Sequence, residues 1–107
     1  MEKFTKAGLL LDIYGNLLKG RRKEVLNLYY NEDYSLSEIA EIFKITKQGV
    51  RDFLLKGEKE LYEYEDNLGI LANKIEVDDI LQELIESDDL EYIKSKLKNL
   101  IYYQEEQ

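Results

Sequence analysis

Apolar residues recur at spacings of three and four along nearly the whole chain, and alternating stretches are short, so the pattern predicts helices throughout. Leu9, Leu10, Ile13, Tyr14, Leu17 and Leu18 form a first stripe, with Thr5 as one candidate cap, and Gly20 marks a break. Val25, Leu26, Leu28, Tyr29 and Tyr30 make a second helix, and Asn31-Glu32-Asp33-Tyr34 reads as a loop. Ser35 or Ser37 then begins a short helix through Ile39, Ala40, Ile42 and Phe43. Ser35 with Glu38 has the spacing of a capping box, in which each side chain satisfies an exposed backbone N–H.

Lys44-Ile45 forms a tight turn and Thr46 caps a longer helix carrying Val50, Phe53, Leu54, Gly57, Leu61, Tyr64 and Leu68 on its apolar side. Gly57 costs that helix about 1 kcal/mol relative to Ala, a cost that a close helix approach would justify. Gly69 closes it by a left-handed cap, which a residue without Cβ reaches freely. Two more amphipathic segments follow: Val77, Ile80, Leu81, Leu84 and Ile85, then, after Ser87-Asp88-Asp89, Leu90, Ile93, Leu97, Leu100 and Ile101. Asp88 or Asp89 caps the last.

Composition narrows the chemistry. The 107 residues contain no Cys and no His, which excludes disulfides, thiol catalysis, imidazole bases and the commonest zinc sites. A hydrophobic fraction of 44% supports a core, while a charged fraction of 36% points to long solvated helices. No apolar run approaches a membrane span and no leader pattern is seen, so the expected compartment is the cytoplasm. The net charge of −8 is uneven: residues 1–30 carry +3, residues 31–60 carry −2 and residues 61–107 carry −9. An acidic chain is repelled by phosphate at long range, so any nucleic-acid contact falls to the early positive charge. The sharpest change lies near residues 69–76, dividing a helical domain over 1–70 from an acidic helical extension over 71–107 that packs on the same domain or on a dimer partner.

The stretch SLSEIAEIFKITKQGVRDFLLKGEKEL has the form of a helix-turn-helix over about residues 36–61, with Ile39, Ala40, Phe43, Ile45, Val50 and Phe53 as its buried ridge. In such a unit the second helix enters the major groove by its N-terminal end. Gln48 is suited to an adenine edge and Arg51 to guanine or phosphate, while Lys44, Lys47, Lys56 and Lys59 suit phosphate. Arg21, Arg22 and Lys23 after Gly20 are a second candidate anion contact, though positive side chains at a helix start oppose its dipole. The plain alternative for both is a solvated face, because Asp52, Glu58 and Glu60 lie among the cations.

Catalysis is not expected. Asp78-Asp79 and Asp88-Asp89 are adjacent residues that do not share a helix face, the serines lack a base, and no phosphate loop, calcium loop or dinucleotide fingerprint occurs. No cofactor, metal or small-molecule ligand is indicated. The nine tyrosines suit packing and interfaces better than base stacking.

The segments YGNLLKGRRKEVLNLYY, DYSLSEIAEIFKITKQGVRDFLLKGEKEL and YEYEDNLG resemble the YlxM-like family of small bacterial helix-turn-helix proteins and, more distantly, region four of sigma factors. The resemblance implies an all-α fold: a sigma-region-four-like helix-turn-helix, of the winged-helix-like DNA-binding class without a wing, and a C-terminal helical extension. It also implies a regulatory role in the signal recognition particle pathway, a link resting largely on gene neighbourhood. Partners implied are the particle's GTPase and its RNA. The family's usual Ser-Arg-Gln is here Thr46-Lys47-Gln48, and its late basic pair is Lys56-Gly57, departures that weaken sequence-specific reading. A transcriptional regulator on duplex DNA is the alternative function. A homodimer through Leu90, Ile93, Leu97, Leu100 and Ile101 is the expected assembly.

Overall fold

Local chemistry sets most helix boundaries. In the computed structural model, which describes residues 3–101 and their side chains from residue 6 onward, six α-helices follow one another: α1 Lys3–Tyr14, α2 Arg22–Tyr30, α3 Leu36–Phe43, α4 Lys47–Leu68, α5 Ile70–Ile85 and α6 Leu90–Leu100. There is no strand among the described residues. The fold is all-α. By internal contacts the chain divides into two compact units, Met1–Leu71 and Ala72–Gln107.

Ser35, rather than Ser37, begins α3: its hydroxyl accepts from the Glu38 N–H at 3.1 Å, and the Glu38 carboxylate accepts from the Ser35 N–H at 3.0 Å. The Ser35 backbone N–H foremost, with the Ser35 hydroxyl second, holds the Glu38 carboxyl below its ordinary range. Lys44 ends α3 in the left-handed region at φ 56°, and Thr46 caps α4 by accepting from the Gly49 N–H at 2.9 Å. These features make the compact turn between α3 and α4. Gly69 ends α4 at φ 63°. Asp89, rather than Asp88, caps α6 through the Tyr92 N–H at 3.1 Å. Thr5 lies inside α1 and is not its cap.

The first stripe departs from expectation at its end. A single 3₁₀ turn over Gly15–Leu17 succeeds α1, and its tighter winding changes which side chains face inward. Leu17 is therefore 49% exposed, whereas Leu11, outside the expected stripe, is buried. Likewise α5 starts at Ile70, seven residues before the stripe that begins with Val77.

Helix α4 is the axis of the first unit, packing against α1, α2 and α3. Its buried residues Val50, Leu54, Gly57 and Leu61 meet Leu10, Tyr14, Val25, Leu26 and Ile39 in one core. Of the expected ridge, Ile39, Ala40 and Val50 are buried, and Phe43, Ile45 and Phe53 pack partly buried against them. A Cβ placed on Gly57 would lie 2.6 and 2.7 Å from the Leu26 methyls, closer than packed carbons approach, so α2 and α4 touch through the missing side chain.

The core is closed by a phenol. Buried Tyr14 donates to Glu65 Oε1 at 2.6 Å and accepts from the Ile70 N–H at 3.2 Å, while Glu65 Oε1 also accepts from the Leu71 N–H at 3.0 Å. Backbone donors that α5 leaves open at its start are thereby satisfied. Burial, then the Glu65 acceptor, raises the Tyr14 phenol above its ordinary value of 10.0.

The second unit contains the last two helices after Leu71. Its loop is ordered by Ser87 Oγ, which accepts from the Asp89 N–H at 3.2 Å, and the Tyr92 hydroxyl donates to Glu83. Of the described residues in this unit only Leu84 is buried.

Candidate functional site

Helical periodicity and capping together decide what the helix-turn-helix presents. With Val50, Leu54, Gly57 and Leu61 fixed inward, Lys47, Gln48, Arg51, Asp52, Leu55, Lys56 and Lys59 are left exposed on α4, and Lys44 is exposed in the turn before it. Arg51 and Lys56 do not share one surface. Five residues separate them, roughly 140° around an α-helix, which carries them to opposite flanks.

Arg51 lines a shallow groove of about 320 Å³ with Tyr29 and Tyr30 of α2, Leu36 of α3, and Leu54, Leu55 and Glu58 of α4. The groove is built chiefly of apolar and aromatic atoms. The Tyr29 and Tyr30 rings meet edge to face at 5.1 Å between centroids, and the Tyr30 hydroxyl donates to Glu58. Burial, followed by the Glu58 acceptor, pushes the Tyr30 phenol far above its usual range, so it stays a neutral donor. Leu55, at the rim, is 64% exposed. No hydrogen bond or ion pair engages the Arg51 guanidinium among the described residues.

Lys56 lines a second depression of about 250 Å³ with Arg22, Gly49, Asp52 and Phe53. Arg22 is committed to an ion pair with Glu60 of α4, which ties the start of α2 to α4. The three basic residues after Gly20 therefore diverge in role: Arg21 lies over the Phe43 ring at 5.7 Å, Arg22 faces Glu60, and Lys23 donates to Asn16 Oδ1. On α4 itself the Gln48 amide donates to Asp52 Oδ1 at 3.2 Å. Any base edge would have to displace that carboxylate before Gln48 could make a paired contact.

Gly57 faces Leu26, so the lack of a charge at that position takes nothing from the exposed surface. Tyr29, Tyr30, Leu36 and Leu55 were not among the expected site residues. Their signal in sequence is weak, because only the crossing of α2 over α4 brings the tyrosines beside Leu55. Tyr14, Tyr34, Tyr62 and Tyr64 also pack against the core, as expected for phenols with one satisfiable hydroxyl, whereas Tyr102 and Tyr103 lie outside the described residues.

In the last helix Leu90, Leu97 and Ile101 are exposed, and Ile93 and Leu100 are half-buried. No cluster of three or more acidic residues arranged to hold a metal ion occurs among the described residues, and no described helix is long and apolar enough to cross a membrane.

Comparison with known proteins places this architecture. Residues 1–101 match the model of the family UPF0122, described as YlxM/p13-like helix-turn-helix proteins. A UPF0122 protein of Desulforamulus reducens is 46% identical over 72 residues, covering 67% of this chain and 62% of the relative. One from Acetivibrio thermocellus is 49% identical over 71 residues, covering 66% of this chain and 61% of the relative. With these two the match spans less than two thirds of their length. A UPF0122 protein of Lactococcus lactis subsp. cremoris is 36% identical over the whole of this chain and 97% of its own.

Proposed function

The chain belongs to the UPF0122 family of YlxM/p13-like helix-turn-helix proteins, and from that membership we propose that it is a non-catalytic regulatory accessory of the signal recognition particle pathway. It acts through contacts of its helix-turn-helix unit with the particle's GTPase, its RNA, or both. The observation that carries a protein contact is the groove beside Arg51. Tyr and Arg side chains around an apolar depression are the residue types that dominate protein interfaces, and an exposed Leu55 beside them is apolar area that water solvates poorly. A free guanidinium at the rim supplies one charge-assisted bond to a carboxylate of the partner. Lys44, Lys47, Lys56 and Lys59 are the candidates for RNA phosphate, with Lys56 and Lys59 turned away from Lys47 around α4.

Titration of the full chain with purified targeting GTPase and with particle RNA, separately and together across a salt series, tests this reading. Arg51→Glu and Leu55→Ser are each expected to weaken GTPase binding about tenfold, the cost of truncating a modest hot spot. Lys47→Glu is expected to weaken RNA binding and to lower the salt slope by about one. Failure of the unaltered chain to bind either component refutes the proposal.

Duplex DNA is a second reading, favoured by the α3–turn–α4 geometry and the exposed start of α4. Against it stand Asp52 and Glu58, fixed carboxylates on the same helix as Arg51. Selection from random duplexes that yields no motif, with binding indifferent to Arg51→Ala, eliminates it.

A further inference from the structure

The Ala72–Gln107 unit has an unusual balance between apolar surface and core. Its described part is two helices with one buried side chain, Leu84, while Ile85 is 75% exposed and Leu90 is 61% exposed. Units below about 40 residues ordinarily need a disulfide, a metal or another chain to hold together. Cysteine is absent from the sequence, and no metal-binding cluster occurs among the described residues. The apolar stripes of α5 and α6 therefore require a cover.

Charge identifies the cover. Helix α5 carries Lys74 against Glu76, Asp78, Asp79 and Glu83, a net of −3, whereas α6 carries Glu91 against Lys94, Lys96 and Lys98, a net of +2. At about 100° per residue, Glu76 and Asp78 flank the Val77–Leu84 stripe on either side, and Lys94 and Lys96 flank the Leu90–Leu97 stripe. Glu76, Asp78 and Lys94 make no ion pair among the described residues. Charges flanking an apolar seam are the positions that select a partner helix and its orientation.

We propose that the α5–α6 hairpin is a homodimerisation module, in which a two-fold axis lays the acidic α5 of each copy against the basic α6 of the other. A two-fold interface repeats each contact, so one α5–α6 match is satisfied twice. Leu81, Ile85, Leu90 and Leu97 become the shared core, and the flanking charges fix which helix meets which. The self-complementarity follows from opposite charge on successive helices of one chain. A partner of uniform charge would be repelled by one of the two.

Sedimentation of the full chain over a wide concentration range reads the result. The expected mass is twice 12.7 kDa, and Ile85→Asp, at an exposed position that leaves helix content unchanged by circular dichroism, is expected to give the monomer. Two charge-reversed chains make the decisive comparison. Glu76→Lys with Asp78→Lys makes both helices basic, and Lys94→Glu with Lys96→Glu makes α6 acidic like α5, so each alone should dissociate. Mixed in equal amounts, each helix again faces its opposite, and a heterodimer at least about tenfold tighter than either homodimer is expected. A monomer at all concentrations overturns the proposal. So does a dimer indifferent to Ile85→Asp, or one in which mixing restores nothing. None of these outcomes depends on binding to the targeting GTPase or RNA.

Discussion

Position 57 shows how one absent side chain fixes a helix crossing. A glycine inside a helix costs about 1 kcal/mol relative to Ala, so replacing it would ordinarily stabilise α4. Here the new methyl would strike the fully buried Leu26, and overpacking of this kind costs typically about 1–3 kcal/mol. The second effect is the larger, and Gly57→Ala is expected to lower stability by about 1 kcal/mol in denaturant unfolding. Leu26→Ala leaves a cavity and is expected to cost about 2–5 kcal/mol. Because the methyl introduced at position 57 would occupy part of that cavity, the double variant should be more stable than the sum of the two changes, by about 1 kcal/mol. At the same scale, exposure of Lys44, Lys47, Gln48 and Arg51 was legible from the period of the chain alone. The division of Arg51 from Lys56 was implicit in that period too. The groove was not, because Tyr29 and Tyr30 reach Leu55 only through a crossing set by Gly57 and Leu26, far apart in sequence.

Helix ends are legible wherever a side chain satisfies its own neighbourhood. Ser35 with Glu38, Thr46, Gly69 and Asp89 all act within a few residues, and such chemistry leaves a local pattern. The 3₁₀ turn after Tyr14 leaves none, since no capping side chain marks its start. The capping box gives a prediction for α3. Ser35→Ala removes the hydroxyl acceptor and is expected to cost about 1 kcal/mol. Acid should act on the same feature. Glu38 has a folded pKa below its unfolded value, so its contribution is complete above the ordinary glutamate range and is lost as pH falls through the folded value. Glu38→Gln, which removes the titrating carboxyl, should therefore flatten the acid limb of a stability–pH curve, measured by urea unfolding at successive pH values. An unchanged limb would show that the box does not govern it.

Across the whole sequence, positive charge gathers early and negative charge late, and Met1–Leu71 holds nearly all of the buried side chains among the described residues. That distribution suits a chain whose first unit meets partners and whose second supplies an assembly surface. The Tyr14 phenol, donating to Glu65 and accepting from the start of α5, and the Tyr30 phenol on Glu58 also give the folded state an optical signature. Both phenols have pKa values raised by folding, so the stability they contribute is complete below pH 10 and lost as pH rises through their folded values. In an alkaline titration followed by ultraviolet absorbance, ionisation of Tyr14 and Tyr30 should appear as an abrupt step coincident with loss of helix, and Tyr14→Phe should shrink that step. The chain would thus report its own unfolding by colour, with no label and no tryptophan.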